Sequence, residues 1–123
     1  MNMNGKNSML RLITIAASLT IFTTVASAKP VRCLIEVDHK VYLNKVCNAD
    51  FFGEDGSFSI GTGHNPSPYF AYVHRQDKRT ADGSWNADPQ STHAHTDLGL
   101  LVRHGECWVN KHAKICASKI HRK

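Results

Sequence analysis

The sequence predicts an all-β domain, a small antiparallel β-barrel or sandwich stapled by two disulfides, and three observations predict it. Short β-branched and aromatic runs recur along the chain, separated by turn residues. No stretch beyond the first 28 residues carries helical periodicity. Four cysteines, Cys33, Cys47, Cys107 and Cys116, lie beyond an N-terminal segment that reads as an export signal.

That segment comes first in the chain. "MNMNGKNSMLR" carries Lys6 and Arg11 and no acid, Leu12 to Ala26 is apolar, and "ASA" closes it at Ala28. A basic start, an apolar centre and a small-residue cleavage site form a secretory signal over residues 1–28. The apolar run is short of the ~20 residues of a membrane span. The expectation is a periplasmic or secreted product over residues 29–123, a single β-domain with no membrane span once the signal is removed. The signal takes two of the 15 basic residues and none of the 10 acidic ones, so the domain carries a net charge of +3. A core this small is marginal, and disulfides are the usual reinforcement in an oxidising compartment.

The elements then follow in order. "VRCLIEV" and "KVYL" read as a hairpin around Asp38 and His39. "GEDGSFSIG" opens with a turn and alternates, with Phe58 and Ile60 on one face and Ser57 and Ser59 on the other. "YFAYVH" is the next strand. "DGSWN" reads as an Asp-Gly turn followed by a short strand, and "NADPQSTHAHTD" as a long loop with a strand at its end. "LGLLVR", "ECWVN" and "KICAS" close the domain, and "SKIHRK" reads as a basic tail. Of the three connectivities open to four cysteines, Cys33–Cys47 and Cys107–Cys116 are expected, because each pair brackets a hairpin. A four-cysteine zinc site lacks the C-x-x-C spacing that such sites use.

Few chemistries fit. "GTGHNPSPYF", Gly61 to Phe70, sits between two strands. Neither a third glycine nor Gly-Lys-Ser/Thr accompanies it and no helix follows, so it is not a phosphate cradle. No G-x-S-x-G elbow is present, and paired cysteines offer no thiolate. Glu54 and Asp55 are adjacent and precede a glycine, so they read as a turn rather than as two carboxylates facing across a cleft. Trp85 and Trp108 read as core residues, Trp108 beside the Cys107–Cys116 bridge, rather than as sugar platforms. The mild charge, with no basic cluster interleaved with aromatics, speaks against nucleic acid. The chain is therefore expected not to be an enzyme and to use no cofactor. Eight histidines invite a metal reading, sharpest at His93 and His95, which would share one face if they lay on a strand, with Asp97, His74 or His104 as a third ligand. The preferred reading of that H-x-H is a polar surface strand, with no metal.

The loop has its own logic. Pro66 and Pro68 fix φ and remove donors, so the segment is no interior strand, and its restricted freedom favours docking. Taken with the exported β-domain and its disulfides, "IGTGHNPSPY" resembles the loop motif S-G-S-G-x-[KR]-Y of the small bacterial inhibitors of c-type lysozyme, the membrane-bound and periplasmic lysozyme inhibitor family. Gly61, Thr62 and Gly63 stand at the G-S-G segment and Tyr69 at the tyrosine. Ile60 replaces the first serine, and the spacing to the tyrosine is longer. The resemblance implies a disulfide-bonded β-barrel that inserts this loop into the cleft of a lysozyme-like glycoside hydrolase, with Thr62 and His64 at the tip as hydrogen-bond donors and Tyr69 at the base. Lysozyme is basic, so Glu54 and Asp55 would aid the encounter if they flanked the loop. The alternatives are an envelope zinc- or copper-binding protein using His93 and His95, and a peptidoglycan-associated structural protein.

Overall fold

The computed structural model describes residues 17–18, 28–63 and 65–121. The expected signal lies almost wholly outside the described residues, as does His64. Eight strands follow one another: β1 (Ala28–Val37), β2 (Lys40–Phe52), β3 (Ser57–Ile60), β4 (Ala71–Arg75), β5 (Thr80–Trp85), β6 (Thr96–His104), β7 (Cys107–Val109) and β8 (Ala113–Ser118). Each pairs antiparallel with the next, and β8 returns to β1, so the sheet closes into a barrel rather than splitting into a sandwich. Among the described residues no helix is long and apolar enough to cross a membrane.

Alternation along the strands fills the interior. Val31, Cys33 and Ile35 of β1 point inward, with Phe58 and Ile60, Ala71 and Val73, Trp108, and Ile115 from the other strands. An eight-stranded barrel is just wide enough for its side chains to fill it, and these do. Ile35, Ile60, Leu101 and Ile115 are fully enclosed, each contributing about 1.5–3 kcal/mol by burial. Both disulfides form, as Cys33–Cys47 and Cys107–Cys116. Cys33 is in the core, and its bridge runs diagonally, since Val31 is the residue opposite Cys47. Cys107 and Cys116 are directly opposite each other.

Three expectations need correction. "DGSWN" is not a turn: Asp82 and Gly83 lie inside β5, opposite His74 and Val73 of β4. The reason is a bulge in β6, where the register shift turns both Leu98 and Leu101 inward. A Cβ on Gly83 would come within 2.6 Å of Leu101 Cδ1, so the glycine makes room for a leucine. The actual turn is 76–79, where Asp77 Oδ1 accepts the N–H groups of Arg79 and Thr80 at 2.8 Å each. These donors, with Arg75 as the smallest influence, hold the Asp77 carboxyl below its ordinary pKa. His93 and His95 precede β6 and lie on no strand. Trp108 points into the core opposite Ile115, whereas the neighbouring Cys107–Cys116 bridge occupies the other face of the sheet. As expected, Ser57 and Ser59 face away from Phe58 and Ile60, and both are buried. Ser57 Oγ accepts the Arg75 N–H at 2.9 Å.

The up-and-down path sorts the connections between two ends of the barrel. One end carries the turns 53–56, 76–79 and 105–106. The other carries the hairpin at 38–39 and the loops 61–70, 86–95 and 110–112.

Candidate functional site, the loop end of the barrel

The loop 61–70 leaves β3 and returns into β4, and its two ends nearly touch. Gly61 has φ +84°, and a Cβ there would meet the Tyr69 carbonyl oxygen at 2.5 Å. Only glycine combines that φ with that approach. The Gly61 carbonyl accepts the Ser67 N–H at 2.9 Å, closing a compact ring of chain. Asn65 holds φ +56°, a left-handed conformation that asparagine tolerates. Gly63, Asn65, Pro66 and Pro68 are exposed, while Ser67 is buried.

Thr62 is not a free tip group. Its Oγ1 lies 3.0 Å from Asp50 Oδ2 and 2.8 Å from Ser59 Oγ. An ionised carboxylate only accepts, so Thr62 donates its single proton to Asp50, and Ser59 donates to Thr62. The hydroxyl that the sequence offers to a partner's carboxylate is thus engaged at home, where it ties the loop to β2. Tyr69 stands at the foot of the loop, its ring 4.9 Å from Tyr42 and 5.9 Å from Trp85. Tyr42 reaches this cluster from a register shift in the β1–β2 pairing.

A residue that sequence reasoning missed governs the whole end. Asn86 is 1% exposed. Its Oδ1 accepts the Phe70 N–H at 2.7 Å, and its Nδ2 faces the carbonyls of Pro68, Asp88 and Ser91 at 2.8, 3.2 and 3.4 Å. The side chain therefore clasps the 61–70 loop to the 86–91 loop, and its donors and acceptor allow one amide orientation only. Nothing in "WNADPQ" distinguishes such an asparagine from an ordinary loop residue.

Between the two clasped loops runs a groove of about 340 Å³, walled by Pro66, Pro68 and Phe70 on one side and Pro89 and Gln90 on the other. It continues over the outer face of β4 into a second hollow of about 360 Å³, where Tyr72, His74, His93 and His95 gather. Tyr72 and His74 of β4, with Phe70 just before it, form a strip of rings at every second position, with Phe52 of β2 at 6.2 Å from Tyr72 and 5.4 Å from His74. The period-two spacing of this strip was visible in "YFAYVH". Its outward direction was not, because the inward positions hold the small Ala71 and Val73, whereas large rings usually mark the buried face.

His93 and His95 lie with ring centres 5.1 Å apart, and of the proposed third ligands His74 shares their hollow. Among the described residues no three His, Cys, Asp or Glu side chains are grouped so as to hold a metal ion. His93→Ala with His95→Ala should therefore shift stability by less than about 0.5 kcal/mol, as exposed substitutions do. A metal-dependent drop in melting temperature of the double variant would contradict this.

Glu54 and Asp55 do not flank the loop. They occupy the turn between β2 and β3, at the opposite end of β3 from Gly61, and the carboxylate beside the loop is that of Asp50. Comparison of the chain with protein-family models, with curated proteins and with solved structures returned no match.

Proposed function

We propose that the exported domain is a binding protein that blocks the active-site cleft of a lysozyme-like glycoside hydrolase with its 61–70 loop. The observation that carries this reading is the bracing of the loop: both ends are held, by the Gly61–Ser67 hydrogen bond, the Thr62–Asp50 tie and the Asn86 clasp, while Gly63, Asn65 and Pro66 remain exposed. A loop already ordered loses little freedom on docking, and that saving appears as affinity. The ring strip on β4 and the groove beside the loop supply an aromatic flank of the kind that anchors protein interfaces.

In this reading Thr62 acts by positioning the loop, and the direct contacts fall to the exposed Gly63, Asn65 and Pro66. Thr62→Ala with His64→Ala should weaken inhibition of a c-type lysozyme at least about tenfold, or roughly 1.4 kcal/mol. Circular dichroism would verify that the variant is folded. A wild-type domain that leaves lysozyme fully active, or a folded double variant that inhibits equally well, would refute the proposal.

A further inference from the structure

The opposite end of the barrel holds a cavity that the loop reading does not use. It measures about 270 Å³. Its floor is apolar, made by Val31, Phe51, Phe58 and Trp108, of which all but Phe51 are buried. Its rim is cationic, with Lys29, Arg75, Arg103 and Lys119.

The two guanidiniums are held in place. Arg75 lies over the Trp108 ring, 5.4 Å from its centre, and its Nε and Nη2 donate to the carbonyls of Asp77 and Lys78 at 3.4 Å each. A Cβ on Gly56 would come within 2.6 Å of Arg75 Nη1, so that glycine leaves the guanidinium its place. Arg103 Nε donates to the Gly105 carbonyl at 3.1 Å.

These partners are neutral carbonyls, so they fix the side chains without cancelling their charge. Among the described residues the one ion pair within 4.0 Å joins His112 to Asp38 at the loop end of the barrel. Glu106 is the sole carboxylate lining the cavity, and its Oε2 accepts the Lys119 N–H at 3.1 Å. Asp55 and Asp77, outside the lining, accept the N–H groups of Ser57 and of Arg79 and Thr80. Those hydrogen bonds, with Arg75 as the smallest influence, hold both carboxyls below their ordinary pKa. The two acids thus temper the Arg75 charge from the turn side without forming an ion pair with it.

We propose that this mouth binds a small amphiphilic carboxylate, its apolar body on Phe58 and Trp108 and its head on the Arg75 and Arg103 guanidiniums. Barrel mouths with an apolar lining and a few convergent polar groups are habitual ligand sites. A guanidinium meets a carboxylate with two parallel charge-assisted hydrogen bonds, which a hydroxyl head group does not match. The volume lies just under the ~300 Å³ lower end of drug-sized pockets, which sets the body at one ring or a short alkyl chain.

The test is titration of the oxidised domain with octanoate and with octanol, read by calorimetry and by the fluorescence of Trp108. Trp85 caps the other end and gives a constant background. Octanoate should bind saturably, and octanol at least about tenfold more weakly. In the Arg75→Gln/Arg103→Gln double variant the preference for octanoate should fall to roughly unity. Equal binding of the two compounds by the wild type overturns the proposal without recourse to any variant. So does a preference for octanoate that survives in the folded double variant, or an absence of saturation by about 5 mM octanoate, beyond the millimolar range of even weak specific binding. Lysozyme inhibition is no part of the readout, so either proposal can fail alone.

Discussion

Complete reduction of the two disulfides should lower the thermal midpoint of the domain by about 20 °C or more. The bridges close loops with sequence separations of 14 and 9 residues. On the chain-entropy view each restricts the unfolded ensemble by about 3 kcal/mol. Together they represent a large part of the ~5–15 kcal/mol by which a domain is stable, and one kcal/mol moves the midpoint of a domain this small by roughly 4–8 °C. The two bridges should not respond alike when replaced by serine pairs. Cys33 is fully enclosed in the core, so Cys33→Ser with Cys47→Ser also buries a hydroxyl among apolar side chains. Cys107→Ser with Cys116→Ser places its hydroxyls on the outer face, where Cys116 is buried but Cys107 is only half-buried, and should be the milder change. Melting curves with and without reductant, with thiols counted to prove reduction, check the first expectation. A shift below about 5 °C would contradict it.

The second large effect belongs to a single atom. Asn86→Asp preserves shape but replaces the amide nitrogen, which faces three carbonyl oxygens, by a carboxylate oxygen. The Phe70 N–H still serves one carboxylate oxygen. A buried charge whose other oxygen faces only carbonyls should nonetheless destabilise by about 3–5 kcal/mol. Burial and the carbonyls raise the folded-state pKa of the new acid above its unfolded value. The protonated form is then the one that the fold tolerates, so the deficit should be smallest in acid and grow as pH rises through the ordinary aspartate range. Unfolding of both proteins at neutral and at acidic pH measures this. A deficit that is small, or the same at both, would mean that the clasp does not hold the loops.

Much of the architecture was legible because barrel strands write their inward face in alternate positions. Val31, Cys33 and Ile35, or Phe58 and Ile60, announce a half-buried strand by spacing alone. The disulfide pairing was legible because both bridges are local to a hairpin. What escaped were features set by partners distant in sequence. Gly83 looks like a turn glycine, and only Leu101, brought inward by the β6 bulge, explains it. Asn86 looks like any loop asparagine until Pro68 and Phe70 arrive beside it. Arg75 and Trp108 are far apart in the chain, and only closure of the barrel stacks one on the other. The loop itself was legible through its glycines and prolines, whereas the engagement of Thr62 by Asp50 needed the register of β2 against β3.

The return of β8 to β1 also shapes how the molecule reaches this structure. Arg32–Val37 pairs with Ala113–Ser118, strands about 80 positions apart in the chain. Such a contact is among the last to form, because a long segment must be ordered before it yields anything, and high contact order slows folding. The β1–β2 hairpin is local and can assemble early. Until β8 docks, however, β1 presents an open row of N–H and C=O groups, a template for pairing with another chain. A nascent domain therefore passes through a vulnerable interval that ends only when its final strand is free to move. Loss of β8 by truncation would make that interval permanent and turn a closed barrel into a chain prone to edge-to-edge association.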